Sequence, residues 1–378
     1  MRMRLCRGFV SACAMLLLLV PTVSAQTGET PEPDEKTVRF VKRAIAYYPN
    51  SVFELVSNTR YTTPSGSYRL VEVQRTCDSK ILTGKPMVLV DESANTAWLG
   101  SVAELPPVQD AGLGPDAIKA FIENFLPGAL KASMNLKVKI EWDVGPRRPG
   151  ALIPMSIQID SGYGFYRAPA AVTAEGKFLV MGTEMPRDQD PVAVRRRGLA
   201  ESDVVMWDTE SNGETKLDIV EFSDYECPAC KGKWPLVKQS IEKHGSTVRH
   251  GMVSFPLTTI HPWAFRAASA SWCVAEQSPS SLISFKETFY SLQREMQVSE
   301  VTPTSIDFVA GNGLDETAFR SCYLREPSLD AVHRQMSLGQ VMAVRATPTY
   351  FVNGWLIQVP NDTWFPDFLE TLLRGEEP

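Results

Sequence analysis

Residues 217–230 read LDIVEFSDYECPAC and join an apolar segment to two cysteines that are separated by two residues. The first six residues contain no glycine or proline, and their apolar content predicts a short buried strand. Pro228 suits the first position of a helix, where a missing N–H group costs nothing. The sequence therefore predicts a strand that gives way to a helix, with the dithiol of Cys227 and Cys230 at the helix start.

This position has consequences for sulfur chemistry. The unpaired N–H groups and the positive end of the helix dipole favour a thiolate, which is the attacking species in thiol–disulfide exchange. Cys227 is therefore the predicted nucleophile, and Cys230, one turn further in, is predicted to resolve the mixed disulfide.

Glu221 is the third candidate residue. Strand alternation predicts that its carboxylate lies against the core near the sulfurs, where desolvation would raise its pKa and let it take a proton from Cys230. The alternative is an acid that reaches solvent at the strand end.

The sequence after the dithiol predicts an α/β domain. A helix that ends at Gly245 is followed by a second strand over residues 247–255 and a helical segment over about 263–343. A hairpin over residues 350–359 and a closing helix over 365–373 complete this plan. Thr347-Pro348 precedes the hairpin, where a proline is suited to a tight turn.

Several of these features together resemble the DsbA-type branch of the thioredoxin superfamily. They are Glu221 six positions before the first cysteine, the CPAC turn, Pro235, the FPL segment at 255–257 and the ATPTYFVNG segment at 346–354. The resemblance covers residues 214–376 and includes the helical segment. It implies an α/β thioredoxin-like fold with a helical insertion.

The resemblance also implies a site. Pro348 is expected to be cis and to pack against the dithiol, and the backbone at Thr347 is expected to pair with an incoming unfolded segment as an added strand. Cys227 is expected to attack protein thiols or disulfides, with a redox-active disulfide and no separate cofactor or metal. The DsbA prototype carries a histidine between its cysteines, whereas this chain has Ala229. A threonine before the proline, as at Thr347, also resembles the isomerase and reductase relatives. The direction of exchange therefore stays open.

Three further cysteines follow the predicted leader. By the same resemblance, Cys273 and Cys322 are candidates for a structural disulfide in the insertion, provided that their Cα atoms lie within about 7 Å. The alternative is two separate buried thiols. Cys77 is the odd thiol, and the alternatives for it are an inert buried thiol, a bond between two chains, or an electron relay between domains.

The sequence before the dithiol predicts four segments. Residues 1–25 combine a basic start, an apolar run and small residues before a cleavage site, which is the pattern of a signal peptide. Residues 26–34 are a flexible lead-in, residues 35–186 are a smaller α+β domain of unknown role, and residues 187–213 are a polar linker to the domain of residues 214–378. The three arginines at 195–197 are expected to be solvated.

Two patterns support the α+β assignment of residues 35–186. Val138–Trp142 alternates apolar and polar residues, which predicts a half-buried strand. Ala117–Phe125 has a helical pattern, and Pro127-Gly128 predicts its end.

Charge and export limit the partners. The formal charge is −6, and removal of three leader arginines would make it −9, so nucleic acid is an unlikely partner. A periplasmic or otherwise exported, soluble protein is expected, with unfolded or cysteine-containing exported proteins as substrates and a membrane redox partner. The isomerase relatives suggest a homodimer through the N-terminal domain, by analogy only.

Two other functions remain in view from the sequence. Cys227 and Cys230 could bind copper(I) in a metallochaperone, which would need a nearby histidine or methionine ligand. None of the four histidines has a spacing that closes such a site with the dithiol; they are His244, His250, His261 and His333. Alternatively, the dithiol is vestigial and the protein serves assembly through its first domain.

Overall fold

The computed structural model describes residues 35–63, 65–77, 80–81, 87–107, 115–143, 152–208, 213–358, 360 and 363–378. The predicted leader of residues 1–25 and lead-in of residues 26–34 lie outside these ranges. The chain forms two compact units. The first contains the residues up to Ile159, Arg167–Pro191 and Gln340–Ala343, and the second contains Asp160–Tyr166, Val192–Gly339 and Val344–Pro378.

The first unit is built on a nine-stranded sheet. Its strands are β1 (Ser51–Thr63), β2 (Gly66–Cys77), β3 (Lys80–Ile81), β4 (Met87–Asp91), β5 (Thr96–Glu104), β6 (Val138–Trp142), β7 (Leu152–Asp160), β8 (Phe165–Thr173) and β9 (Phe178–Pro186). They follow the order β1-β2-β4-β5-β9-β8-β7-β6, and β3 pairs with β2. The predicted alternation of β6 is confirmed, because its lysine and glutamate are exposed and its three apolar residues are half-buried.

Two helices accompany this sheet, α1 (Glu35–Ala44) and α2 (Pro115–Met134). The predicted end of the second helix at Pro127-Gly128 is wrong, because α2 continues through both residues. Ile118, Ile122, Leu126 and Leu130 recur every four residues and are all buried, so packing of one continuous face outweighs the local cost of the proline.

The second unit has a five-stranded sheet of order β10-β12-β11-β13-β14. Its strands are β10 (Met206–Trp207), β11 (Leu217–Ser223), β12 (Val248–Ser254), β13 (Thr349–Val352) and β14 (Trp355–Ile357). Strands β11 and β12 are parallel, whereas β13 runs antiparallel to β11. The central strand β11 is buried along almost its whole length, which agrees with its largely apolar sequence and its lack of glycine and proline.

Eight α-helices belong to the described part of the second half of the chain. They are α3 (Pro191–Ala200), α4 (Pro228–His244), α5 (Ala264–Gln277), α6 (Leu282–Leu292), α7 (Val301–Gly311), α8 (Glu316–Cys322), α9 (Glu326–Val341) and α10 (Phe365–Leu373). Single 3-10 turns occur at Gly245–Thr247 and Pro279–Ser281. Helices α5 to α9 form the predicted helical insertion.

The predicted linker of residues 187–213 differs from the structure. Its described part contains α3 and the edge strand β10, which pairs antiparallel with β12. Val192, Leu199 and Met206 are buried, because a few apolar side chains are interspersed among the polar ones that suggested a linker. Arg195 is also not solvated as predicted, since it is only 1% exposed and lies over the Phe351 ring.

A disulfide joins Cys273 in α5 to Cys322 in α8, with Cα atoms 5.8 Å apart. This is the pair that the sequence resemblance favoured. Cys273 belongs to an aromatic core cluster that includes Phe285, Phe289 and Phe319. The bridge therefore ties two helices of the insertion across their shared core.

No helix within the described ranges is both long enough and apolar enough to cross a lipid bilayer.

Candidate redox site

The two cysteines of the CPAC turn lie where β11 leads into α4. Cys227 is the N-cap residue with extended backbone angles, and Pro228 opens the helix. Cys227 is 6% exposed and Cys230 is fully buried, and both are free thiols. The predicted placement of one sulfur at the helix start and the other inside the domain is what the structure shows.

Their environments separate the two thiols chemically. The hydrogen bond with Cys230 is the main cause that lowers the pKa of Cys227 to about 6, against an opposing effect of burial. Burial raises the pKa of Cys230 well above its ordinary value. At neutral pH, Cys227 is therefore the thiolate and Cys230 keeps its proton.

Thr347 and Pro348 meet the dithiol from the opposite side of the turn. The Thr347–Pro348 bond is cis, which is the conformation that the resemblance implies. The Cys227 sulfur lies 3.5 Å from the Thr347 carbonyl oxygen, and the protonated form of the thiol donates to that oxygen. Strand β13 follows at Thr349 and pairs with β11, so the sheet holds the proline turn against the dithiol.

Glu221 lies in the core as predicted, but the predicted rise in its pKa is wrong. Burial acts to raise this pKa, yet Lys286 and His250 outweigh burial and lower it to about 2. The Lys286 ammonium lies 2.6 Å from the carboxylate, and the His250 Nε2 atom lies 3.6 Å from it. The carboxylate is ionised, and its charge reaches Cys230.

A buried charge cluster surrounds this carboxylate. The His250 Nδ1 atom lies 2.7 Å from the Asp208 carboxylate, and the Lys286 ammonium lies 3.9 Å from the centre of the Trp234 ring. Glu221, Lys286, His250 and Asp208 are each at most 6% exposed. The sequence reasoning missed the last three. Lys286 had a signal, because it shares the apolar face of α6 with Leu282, Phe285 and Phe289.

The loop before Cys227 is held by a second polar network. The buried Asp224 carboxylate accepts from the backbone N–H of Glu226 at 2.8 Å and of Leu257 at 2.7 Å. Its Oδ2 atom also lies 2.7 Å from Nδ1 of His261. The Glu226 carboxylate accepts from two backbone N–H groups at the start of α5.

Gln293 holds the same loop from the end of α6. Its amide donates to the carbonyl oxygens of Tyr225 at 2.8 Å and Cys227 at 3.0 Å. The helical insertion therefore fixes the backbone immediately before the nucleophile. None of these loop contacts was predicted, because a glutamine 66 residues away in sequence gives no local signal.

The described residues show no group of three or more histidine, cysteine, aspartate or glutamate side chains placed to hold a metal ion. Cys77 lies in β2, and its side chain is outside the described part of the structure.

Comparison with known proteins supports a thioredoxin-like fold for the part of the chain that contains the dithiol. Residues 212–365 match a family model described as thioredoxin. Disulfide bond formation protein D of Bacillus subtilis is 28% identical over 171 residues, which cover 43% of this chain and 75% of that protein. The Na(+)/H(+) antiporter NhaA 3 of Salinispora tropica is 28% identical over 141 residues, and the chain spans about a fifth of that protein.

Solved structures match a little under half of the chain. The oxidised BdbD of Bacillus subtilis is 24% identical, with 45% of this chain and 94% of that chain covered and a TM-score of 0.39. ScsC of Proteus mirabilis is 17% identical, with 49% and 78% covered and a TM-score of 0.39. The family match and the five-stranded sheet with its cis-proline turn agree with the predicted α/β thioredoxin-like fold with a helical insertion.

Proposed function

We propose, on the premise that the C-terminal domain is a thioredoxin-family domain, that the protein is an exported thiol–disulfide oxidoreductase acting on cysteine-containing proteins. The observation that supports this most directly is the position of Cys227, at the N-terminus of α4 and against the Thr347 carbonyl, with Cys230 buried one turn behind it. This arrangement makes one sulfur reactive and keeps the second close enough to displace it.

The exchange proceeds in two displacements. In the reducing direction, the Cys227 thiolate attacks a substrate disulfide, one S–S bond forms as another breaks, and a substrate thiolate leaves. Cys230 then loses its proton and attacks Cys227, which closes the CPAC disulfide and releases the second substrate thiolate. Two electrons pass from the dithiol to the substrate, and the oxidising direction is the reverse.

Glu221 does not fit the role of proton acceptor, because a carboxylate with a pKa of about 2 is too weak a base to take a proton from Cys230. Its negative charge, together with those of Cys227 and Asp224, instead raises the pKa of Cys230 and keeps that thiol protonated until the mixed disulfide forms. We propose that extended substrate segments dock on the Thr347 backbone as an added strand, which brings substrate sulfur to Cys227 without reading side-chain sequence.

Export and partners are part of the same proposal. The leader pattern of residues 1–25 and the Cys273–Cys322 disulfide support an oxidising compartment such as the periplasm, because structural disulfides persist there. A catalytic dithiol must be reset after each turnover, and we propose a membrane redox protein for this step.

The function is tested by assaying insulin reduction and the oxidation of a reduced, unfolded protein in glutathione buffers, with Cys227→Ser and Cys230→Ser as variants. We expect the wild type to catalyse one of these reactions, Cys227→Ser to abolish it, and Cys230→Ser to accumulate a mixed disulfide with substrate. The equilibrium with glutathione then gives the direction. Inactivity of the wild type in both assays would refute the proposal, and tight copper(I) binding in that case would favour the metallochaperone.

A further inference from the structure

The turn between the two cysteines contains Pro228 and Ala229 and therefore carries no charge of its own. The charge of the preceding loop is unfavourable for the thiolate, because the Asp224 carboxylate acts to raise the pKa of Cys227. A cation that cancels this carboxylate must come from another element of the fold.

His261 is placed to be that cation. It follows β12 in the loop before α5, and its Nδ1 atom lies 2.7 Å from Asp224 Oδ2. The Asp224 side chain is fully buried and the His261 side chain is 13% exposed, so the pair is shielded while the imidazole can still exchange protons with solvent.

The charges around the imidazole favour its protonated form. Burial acts to lower the pKa of His261, but Asp224, Cys227 and Glu226 together raise it above its ordinary value. These are the acidic groups that face His261 from the loop before α4, and Cys227 is among them. Attraction between two groups is reciprocal, so an imidazolium that the Cys227 thiolate stabilises also stabilises that thiolate.

We propose that His261, held by Asp224, tunes the dithiol: its imidazolium cancels the Asp224 carboxylate beside Cys227 and so favours the thiolate form of the nucleophile. This inference rests on the proposed function and adds to it a residue that sets reactivity and redox equilibrium. Because only the reduced protein contains the thiolate, the imidazolium stabilises the reduced form and makes the dithiol a stronger oxidant. The effect is present while His261 is protonated and disappears at higher pH.

The test uses the full chain with His261→Asn, which can keep a neutral hydrogen bond to Asp224. The thiolate absorbance of the reduced protein, its alkylation rate by iodoacetamide and its equilibrium with glutathione are measured as functions of pH. We expect the pKa of Cys227 to be higher by roughly one in the variant than in the wild type. The alkylation rate of Cys227 near pH 6 should fall by up to about tenfold. The equilibrium constant for oxidation of glutathione by the CPAC disulfide should fall by a similar factor. The difference from the wild type should close at alkaline pH, which a purely structural defect would not do.

The matched control is His244→Asn, because His244 is the last residue of α4, at the opposite end of that helix from Cys227. It should leave all three measurements unchanged. A second readout is the NMR titration of the His261 ring in the wild type, whose midpoint should be higher in the reduced than in the oxidised protein.

Equal His261 midpoints in the two redox states, or a His261→Asn variant with an unchanged thiolate titration, would overturn the inference. In either case the proposed function would stand if the wild type still exchanged disulfides through a low-pKa Cys227. A wild-type Cys227 that titrates as an ordinary thiol and catalyses no exchange would overturn both.

Discussion

At the scale of single residues, Glu221 shows how the core of this domain keeps a carboxylate charged. It is fully buried, yet Lys286 and His250 lower its pKa to about 2. Since a charged group without partners is unstable in such a place, these contacts decide whether the carboxylate is ionised. The ordinary rule that burial raises the pKa of an acid fails here because its partners come from distant parts of the sequence.

The ionised Glu221 predicts a dependence of stability on acid. Its folded-state pKa lies at about 2, below the ordinary 4.5, so its contribution is complete above pH 4.5 and is lost as the pH falls toward 2. A difference of this size corresponds to about 3 kcal/mol. Urea unfolding of the oxidised protein between pH 6 and pH 2 should show this loss, and Glu221→Gln should flatten it.

Glu221→Gln should also cost about 3–5 kcal/mol at neutral pH, because the Lys286 ammonium loses its buried partner. Glu221→Gln/Lys286→Met removes both charges and should recover most of this loss. Glu370→Gln breaks an exposed pair with Lys243 and serves as the control with no measurable change. An acid profile of Glu221→Gln identical to that of the wild type would contradict the assignment.

The residues of the site differ in how well the sequence predicted them. Cys227, Cys230, Thr347 and Pro348 carry local patterns, and the structure brings them together. Asp224, His261 and Gln293 act through contacts between separate elements, and such contacts leave no local pattern. Lys286 is the exception, since a lysine within an apolar helical face is a visible anomaly.

At the scale of elements, α6 supports the dithiol through its C-terminal end. Gln293 holds the carbonyl oxygens of Tyr225 and Cys227. We expect Gln293→Ala to destabilise the protein by about 1–2 kcal/mol and to slow exchange roughly tenfold, because the turn before the nucleophile loosens. Stopped-flow alkylation and exchange assays measure this, with the exposed Gln297→Ala as the control. Equal exchange rates in both variants would show that the loop holds its geometry without Gln293.

The helical insertion also depends on its disulfide. Cys273 and Cys322 are 49 positions apart, so their bond restricts a long loop of the unfolded chain. Cys273→Ala/Cys322→Ala should therefore lower the free energy of unfolding by about 2–4 kcal/mol. Denaturant unfolding of the variant and the wild type measures the loss. Exchange activity at 25 °C should persist, because the bond joins α5 and α8 rather than the elements that carry the dithiol. A variant that loses exchange activity as well as stability would contradict this expectation.

Element boundaries were predictable where local signals agreed with packing. Strand β6 kept its predicted bounds because its alternation matches a half-buried face. Helix α2 passed through Pro127-Gly128 because its buried face continues beyond them. Packing of a whole face therefore decides where a helix ends more than a single proline does.

At the scale of the whole molecule, composition predicted two parts of the chain but misjudged where they divide. Residues 187–213 look polar on average, yet α3, β10 and the buried Asp208 lie among them and belong to the second unit. The sequence predicted no role for residues 35–186, and a homodimer formed through them stays a prediction. The sequence patterns of the nine strands in the first unit were too general to suggest an activity.

The position of β10 predicts how the second unit behaves when it is cut. A fragment of residues 214–378 lacks β10 and Asp208, whereas a fragment of residues 188–378 keeps both. We expect the shorter fragment to have a clearly lower Tm by circular dichroism, because His250 loses the carboxylate 2.7 Å from its Nδ1 atom and buried apolar side chains are lost. Equal Tm values would mean that residues 188–213 add nothing to the unit.

The two residues of β10 also cover an edge of the five-stranded sheet. Met206 and Trp207 cover one side of β12 by pairing with Met252 and Gly251. Without them, β12 would present free backbone N–H and C=O groups at an open sheet edge, which is a template for pairing with other molecules. By occupying this edge, the short strand keeps the sheet from pairing edge to edge with other extended chains.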